Sequence, residues 1–263
     1  MIRNLLIGRT TCLRWGDIRL CVPQSEPNVF YSTFVAGSYE NLRLRKGDVV
    51  LDIGAHVGDF SLVASRRVGI EGRVIAIEPN PNLFEILKEN IAINIAGNVI
   101  AKKLAISDSM GIVQMVDEGQ ASRISADSSD RSFSVNAVTI SQLLEDLNID
   151  TVSVIKIDIE GHEFRALDGQ PILDHCRSIA VEVHSQALAQ QVTDLLRDRG
   201  FRIEYLSAKQ VTRNSIRNMC THPFDYAFAE INTGAIGFSA MLRQLSRGTF
   251  SGPSTSVIFG HAY

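Results

Sequence analysis

The sequence predicts an α/β protein whose sheet carries a ligand site where its strands end. Val49–Leu51 is a short apolar run that stops at Asp52 and continues into a glycine turn. Such runs are typical of buried strands in sheets that are covered on both faces. A second strand, Arg73–Ile77, stops at Glu78. Acidic residues in these positions indicate the ligand-binding edge of an open α/β sheet.

The composition fits one domain with a single core, because the 263 residues are 45% hydrophobic. The net charge of -3 provides no basic footprint for nucleic acid. No apolar run approaches the roughly 20 residues that a membrane helix needs. Leu5–Ile7 is too short for the core of a signal peptide. We therefore expect a cytoplasmic protein that binds neither nucleic acid nor membrane, and its oligomeric state stays open.

The cysteines are scattered and have no metal-binding spacing; they are Cys12, Cys21, Cys176 and Cys220. We interpret them as reduced thiols. A bridge between Cys12 and Cys21, facing each other across a hairpin, stays open as an alternative.

Residues 1–46 form an extension before the predicted core. Apolar and polar residues alternate in Thr11–Trp15 and Ile18–Val22 around a glycine–aspartate turn, which predicts a hairpin. Helical spacing follows over Tyr31–Arg45, and we expect this extension to cover the ligand. Glu40 has two interpretations, a contact to the bound ligand or a solvated charge on the helix.

The glycine turn after the first core strand is the first candidate binding element. Gly54 and Gly58 bracket it, and Phe60–Val68 resumes with helical spacing. Glycine brings backbone close to a ligand, and a helix start offers unpaired N–H groups. An ordinary turn between strand and helix is the alternative. Glu78 favours function, because a carboxylate at the end of the second strand suits a ribose diol.

The residues of this turn favour one nucleoside cofactor over another. A dinucleotide fold needs G-x-G-x-x-G, whereas here His56 stands in place of the middle glycine. Asp52 would repel a phosphate but suits a cation. S-adenosylmethionine carries a sulfonium and an ammonium, and its ribose would reach Glu78. The sequence therefore predicts S-adenosylmethionine rather than a nicotinamide dinucleotide.

The next elements continue the alternation of helix and strand. Pro81 fits a first helical turn before the amphipathic stretch Leu83–Asn94, and Val99–Leu104 reads as the third strand. Ser107 follows that strand, where adenine lies in this architecture. It is either a cofactor contact or a turn residue.

The stretch from Gly111 to Val135 is predicted to contain a strand over Ile112–Val116 and then a mobile loop over Glu118–Arg131. Such loops often shape substrate sites. Arg123 and Arg131 are candidate substrate contacts, and solvated arginines are the alternative.

Residues after the strand Val152–Ile157 form a second charged stretch. Alternation predicts Lys156, Asp158 and Glu160 on one face, with Asp158 just past the strand end. The structural alternative is an ion pair between Lys156 and Asp158. Glu163 is explained by the first turn of the next helix, where the dipole favours a carboxylate.

The next strand, Ser178–Val183, brings Glu182 and His184 towards Asp158. An acidic group and an imidazole at one edge suit proton transfer. Alternatively, Asp158, Glu182 and His184 form a divalent metal site. His162 is expected at the surface.

The carboxyl-terminal part is predicted to begin with a helix over Gln186–Arg199, stopped by glycine. Two strands follow, Phe201–Leu206 and Tyr226–Ile231, and the connection Ser207–Pro223 shows no strong helix, which favours an antiparallel pair. Residues 232–263 form a tail whose helical candidate is Phe238–Leu245.

Four stretches between residues 48 and 185 resemble the FkbM family of S-adenosylmethionine-dependent methyltransferases. In order along the chain they are Asp52–Gly58, Ile77–Pro81, Ile155–Glu163 and Val181–His184. The combination of DxGAxxG, EPxP and IKIDxEGxE in this spacing is specific. The resemblance implies a Rossmann-like seven-stranded sheet, mostly parallel with one antiparallel strand, over a core of residues 47–231.

The resemblance also implies activity and site residues. Family members methylate hydroxyls of sugars, glycolipids and polyketide rings, so the expected partner is a small-molecule or carbohydrate acceptor. Asp52, Gly54, Gly58 and Glu78 would bind the cofactor. Many members have asparagine in place of His56, and either side chain can hydrogen-bond.

Transfer to a hydroxyl needs a base, for which His184 is the first choice and Asp158 the second. Asp158 and Glu160 alternatively steady the cationic cofactor. Two other functions remain open at this point. One is a nicotinamide-dependent oxidoreductase, which would need a phosphate-binding turn. The other is a protein that binds the cofactor without transfer.

Overall fold

The computed structural model describes residues 10–117, 122–124, 132–233 and 256–262. None of the helices in these ranges combines the length and apolar character needed to cross a membrane.

The chain begins with the predicted hairpin, formed by β1 (Thr10–Trp15) and β2 (Ile18–Pro23). Its inward side chains alternate and join the main core; they are Leu13, Trp15, Ile18, Leu20 and Val22. Cys12 and Cys21 are register partners and form a disulfide. Interpreting all four cysteines as reduced was therefore wrong for this pair, because the hairpin register places them opposite each other.

The helix expected over Tyr31–Arg45 is much shorter in the structure. One turn, α1 (Asn28–Phe30), continues into π-helical turns over Tyr31–Val35. Gly37 then takes a φ of 63°, which turns the chain out of the helix.

The main sheet has seven strands, the number that the resemblance implies. In chain order they are β3 (Val49–Ile53), β4 (Arg73–Ile77), β5 (Val99–Lys102), β10 (Val154–Ile157), β11 (Ser178–Val183), β12 (Arg202–Tyr205) and β13 (Ser256–His261). Their spatial order is β12-β13-β11-β10-β3-β4-β5. β13 runs antiparallel to both its neighbours, whereas the other pairs are parallel. This confirms the Rossmann-like sheet with one reversed strand.

Helices cover both faces of this sheet. They are α2 (Asp59–Val68), α3 (Pro81–Ile93), α4 (Ile140–Asp146), α5 (Glu163–Leu167) and α6 (Gln186–Asp198). Alternation within the strands divides the core, so that Val50 packs with the hairpin side and Leu51 with the opposite side.

A second sheet follows β5. It contains β6 (Ala105–Ile106), β7 (Gly111–Asp117), β8 (Ser122–Ile124) and β9 (Ser132–Val138), in the order β6-β9-β7-β8. The strand predicted at Ile112–Val116 is confirmed as part of β7. The expected loop over Glu118–Arg131 contains β8, and its other residues, including Arg131, lie outside the described ranges, as does the side chain of Arg123.

Two predictions for the carboxyl-terminal part were wrong. Residues 207–223 contain α7 (Ala208–Thr221), and Tyr226–Ile231 lies in α8 (Pro223–Thr233) rather than in a strand. Ser207 caps α7 by accepting from the Gln210 N–H. The reversed strand is β13, which lies in the segment treated as a tail. The helical candidate Phe238–Leu245 is outside the described residues.

Glu40 lies in the turns before β3, where neither of its expected roles is seen. Its carboxylate contacts Arg217 and accepts a hydrogen bond of 2.8 Å from Asn218, both on α7.

Candidate active site

The glycine turn after β3 has a backbone that requires glycine at both ends. Gly54 has a φ of 78°, and a Cβ there would lie 1.8 Å from the carbonyl oxygen of Asp158. Gly58 has a φ of 87°, and a Cβ there would lie 2.5 Å from Leu87 Cδ1. L-residues rarely adopt these angles, and at Gly54 the neighbouring backbone also leaves no space for a side chain. The turn therefore brings backbone against the ends of the neighbouring strands.

Asp52 supports this turn from inside the protein. Its carboxylate is fully buried. It accepts a hydrogen bond of 2.5 Å from the Ser61 hydroxyl and lies 3.4 Å from Lys156 Nζ. Lys156 in turn donates to the Gly54 carbonyl at 2.6 Å. Burial raises the pKa of Asp52, although the Lys156 charge opposes this. The expected ion pair of Lys156 with Asp158 is thus replaced by one with Asp52.

Glu78 lies at the carboxyl end of β4 and faces the pocket. Its two oxygens accept backbone hydrogen bonds of 2.8 Å, Oε2 from His56 and Oε1 from Asn80. Burial raises the pKa of Glu78 to about 7, against the opposing charge of His56. Each carboxylate oxygen has a second lone pair, so both remain able to accept from a ligand hydroxyl.

A pocket with an empty volume of about 630 Å³ opens at this edge of the main sheet. The second sheet contributes apolar residues to its wall, namely Ala105, Ile106, Met115 and Ile124. The charged or ionisable lining residues are His56, Glu78, Asp158, Glu160 and His162. His162, expected at the surface, therefore borders the pocket.

Ser107 and Glu163 have structural roles in the described geometry. Ser107 is buried, and its hydroxyl donates a hydrogen bond of 3.2 Å to Asp108. It is not among the residues that line the pocket. Glu163 starts α5 as expected and accepts from the backbone N–H groups of Ile159 and Gly161.

The ends of β10 and β11 bring together the predicted catalytic cluster. His184 Nε2 lies 3.2 Å from Asp158 Oδ1 and 3.4 Å from Glu160 Oε2. Burial favours the neutral ring, but the hydrogen bond to Asp158 and the two carboxylate charges raise the pKa of His184 to about 9. The same hydrogen bond and the Lys156 charge lower the pKa of Asp158 despite its burial.

Glu182 is held differently from the other candidates. Its Oε2 accepts a hydrogen bond of 2.8 Å from the Tyr39 hydroxyl. Burial and the charge of Asp158 raise the pKa of Glu182 to about 7. The donor atoms that approach one another within 4.8 Å belong to Asp158, Glu160 and His184. The described geometry therefore places Glu160, not Glu182, in the set able to share a cation.

Two residues of the extension reach the site without having been singled out from the sequence. Tyr39 binds Glu182, and its ring lies 5.5 Å from Lys156 Nζ. Glu26 is buried, with Oε2 lying 2.8 Å from His56 Nε2. The sequence shows Glu26 only as an acidic residue between two prolines, which does not indicate its burial.

The sheet order, the glycine turn and the acidic strand ends define the class of Rossmann-like nucleoside-binding α/β enzymes. Comparisons with known proteins narrow this class. The sequence model of the Methyltransferase FkbM domain matches residues 52–203, more than half of the chain. The chain therefore belongs to the FkbM family and is an S-adenosylmethionine-dependent methyltransferase.

Two relatives and one solved structure illustrate the similarity. Hexuronic acid methyltransferase AglP of Haloferax volcanii is 28% identical over 184 residues, covering 66% of this chain and 73% of that protein. The 31-O-demethyl-FK506 methyltransferase FkbM of Streptomyces tacrolimicus is 28% identical over 200 residues, covering 62% of this chain and 75% of that protein. A methyltransferase FkbM structure from Methylobacillus flagellatus KT has 20% identity and a TM-score of 0.46, covering 67% of this chain and 44% of that chain.

The pocket residues fit S-adenosylmethionine. Glu78 has accepting capacity for the ribose diol, and Asp158 and Glu160 provide negative charge for a cationic ligand. Gly54 also lines the pocket, and because it has no side chain its backbone is open to the ligand.

Proposed function

We propose that this enzyme methylates a hydroxyl oxygen on a sugar, glycolipid or polyketide-type small molecule. The observation that carries the proposal is the cluster of Asp158, Glu160 and His184 at adjacent strand ends, whose two carboxylates line the pocket. The names of the relatives support it, because one acts on a hexuronic acid and another on 31-O-demethyl-FK506.

Bound S-adenosylmethionine supplies an electrophilic methyl group on its sulfonium. The chain then has to bind the acceptor in line with that group and exclude competing water. Such positioning lowers a barrier by about 7–11 kcal/mol in favourable cases. The turn between Gly54 and Gly58, held by Lys156 and Asp52, gives the rigid support that this alignment needs.

The acceptor hydroxyl must lose its proton, and His184 is our first candidate to receive it. With a pKa of about 9, the ring is charged at neutral pH in the described geometry. A positive ligand beside Asp158 and Glu160 would oppose the effect of their charges, lower the pKa of His184 and favour the neutral ring. Asp158, which stays ionised, is the second candidate.

A divalent metal is the alternative role for this cluster. The sequence suggested Asp158, Glu182 and His184, whereas the described geometry favours Glu160 over Glu182 as the third ligand. Carboxylate and imidazole donors of this kind suit several divalent ions. Activity that survives prolonged chelator treatment would exclude the metal role, and restoration by one added ion would support it.

A labelled-methyl transfer assay tests the proposal. The enzyme is incubated with labelled S-adenosylmethionine and separate panels of neutral sugars, uronic acids, glycolipids and hydroxylated polyketides. Label in an ether product would support hydroxyl methylation, and label in an ester or amine would contradict it. Binding of S-adenosylhomocysteine without transfer to any panel would favour a non-catalytic binding protein. Calorimetry with NAD tests the oxidoreductase alternative, which the FkbM membership disfavours.

A further inference from the structure

Glu26 belongs to the amino-terminal extension, yet its carboxylate lies inside the protein against the glycine turn. It is 5% exposed, and its Oε2 lies 2.8 Å from His56 Nε2. The His56 ring borders the pocket. We propose that His56 binds the α-carboxylate of the cofactor and that Glu26 is a positioning residue that keeps this ring charged and oriented. This inference rests on the proposed function only through its use of S-adenosylmethionine.

The charges of the pocket create the need for such a cation. Its lining contains the carboxylates of Glu78, Asp158 and Glu160. These suit the positive groups of S-adenosylmethionine but repel the carboxylate at its amino-acid end. A charged hydrogen-bond donor beside that carboxylate offsets the repulsion.

Two other nearby basic groups are poorly suited to this role. Burial and the charge of Arg165 lower the pKa of His162, so its ring is neutral at pH 7. Lys156 Nζ donates to the Gly54 carbonyl beside Asp52, and Lys156 is not among the residues that line the pocket. Among the described residues bordering the pocket, His56 is the remaining candidate.

The surroundings of His56 favour its charged form. Burial opposes the charge, but contact with Glu26 and the charges of Glu78, Glu26 and Asp59 raise its pKa. Asp158 is a further negative charge that interacts with it. Both ring nitrogens of His56 are buried, and neither has a hydrogen-bond partner among the described residues; Nε2 meets Glu26 Oε2 as an ion-pair contact at 2.8 Å. A charged ring has a second N–H, at Nδ1, to offer a ligand.

The backbone places this ring where an anion is favoured. His56 has a φ of 50°, and α2 begins three residues further on, so the positive end of the helix dipole is close. Asn90 holds the extension to this turn, because its Nδ2 donates 2.8 Å hydrogen bonds to the carbonyls of Cys21 and Val57. Glu26 therefore approaches His56 from a fixed hairpin.

Calorimetric binding to two ligands separates this role from a general structural one. S-adenosylhomocysteine retains the α-carboxylate, and 5′-methylthioadenosine has the same nucleoside without the amino-acid end. We expect Glu26→Gln and His56→Asn to weaken S-adenosylhomocysteine roughly tenfold. Binding of 5′-methylthioadenosine should change by less than about twofold. Glu71→Gln, at an exposed site away from the pocket lining, is the matched control.

A pH series adds a second readout. Because Glu26 raises the pKa of His56, the affinity for S-adenosylhomocysteine should fall at lower pH in Glu26→Gln than in the wild type, as the ring loses its proton.

The possible failures are distinguishable. Equal losses for both ligands, or an unchanged affinity in both variants, would overturn this inference alone. Failure of the wild-type chain to bind S-adenosylhomocysteine would overturn it together with the proposed cofactor use. Thermal unfolding shows whether each variant folds. If Glu26→Gln does not fold, binding of the same two ligands to His56→Asn tests the inference.

Discussion

The hydroxyl of Tyr39 donates a hydrogen bond of 2.8 Å to Oε2 of Glu182, across 143 positions of sequence. Tyr39 comes from the amino-terminal extension and Glu182 from β11, so this bond joins the extension to the strand ends of the active site. Tyr39 also packs at 5.3 Å against Phe60 on α2. The extension is therefore part of the site's construction and does not merely cover it.

We expect Tyr39→Phe to impair transfer more than cofactor binding. It leaves a partly buried carboxylate oxygen without its partner, which costs about 0.5–1.5 kcal/mol in the free energy of unfolding. It also removes a hydrogen bond that lowers the pKa of Glu182, so more of this group is protonated at pH 7. Urea denaturation, the transfer rate and S-adenosylhomocysteine affinity measure these effects.

Tyr205→Phe is the control for that variant, because Tyr205 loses a comparable 2.9 Å hydrogen bond to Thr193 at a half-exposed position far along β12. A transfer rate that falls equally in both variants would contradict a specific role for Tyr39.

The strand-end residues could be predicted from the sequence because their placement follows from local rules. Glu78 and Asp158 each come directly after an apolar run, and parallel strands present their carboxyl ends at one edge. Tyr39 and Glu26 could not be found this way. They lie in turns and irregular segments, and their contacts depend on how the hairpin packs on α3, which no local periodicity encodes.

The carboxyl-terminal error has a similar physical cause. Tyr226–Ile231 alternates apolar and polar residues, which suits a strand, but Asp225 and Ala229 are buried at the four-residue spacing of a helix. The reversed strand β13 follows 22 residues outside the described ranges. Its pairing between β11 and β12 therefore depends on contacts between residues that are far apart in the sequence.

Gly54→Ala should abolish cofactor binding and lower stability strongly. Both the φ of 78° and the 1.8 Å approach of the Asp158 carbonyl oppose a Cβ. Gly69→Ala is a matched control, because its φ is 71° and no atom lies within 4 Å of its added Cβ. The control measures the backbone cost alone, about 1–3 kcal/mol. Equal losses of stability in the two variants would contradict the close approach.

The raised pKa of Glu78 predicts a pH dependence below neutrality. The folded chain holds this proton up to about pH 7, whereas the unfolded chain releases it near the ordinary value of 4.5. The free energy of unfolding should therefore fall as pH rises through this window, by up to about 3 kcal/mol from this group.

Cofactor affinity should move in the opposite direction, because the ionised carboxylate is the better acceptor for ribose hydroxyls. S-adenosylhomocysteine should bind more tightly as pH rises from 5.5 to 7.5, and Glu78→Gln should remove most of this slope. A slope that persists in Glu78→Gln would assign it to another group.

Asp158→Ala should abolish detectable methyl transfer, and Asp158→Asn should slow it by about 10²–10⁴-fold. Both remove the carboxylate that orients His184 at 3.2 Å. Asp150→Asn, an exposed residue before β10, is the control. Wild-type turnover in Asp158→Asn would remove Asp158 from the catalytic machinery.

The Cys12–Cys21 disulfide predicts that stability depends on the redox state of the solution. The bridge closes a short loop, since the two cysteines are nine positions apart, and loop-closure entropy then favours folding by about 2–3 kcal/mol. Cys12 is exposed, so a dithiol can reach it. Urea denaturation with and without dithiothreitol should show this difference. The double variant Cys12→Ser/Cys21→Ser should match the reduced protein and ignore the reductant. If that variant still responds, the effect comes from another thiol, and the hairpin bridge contributes nothing measurable.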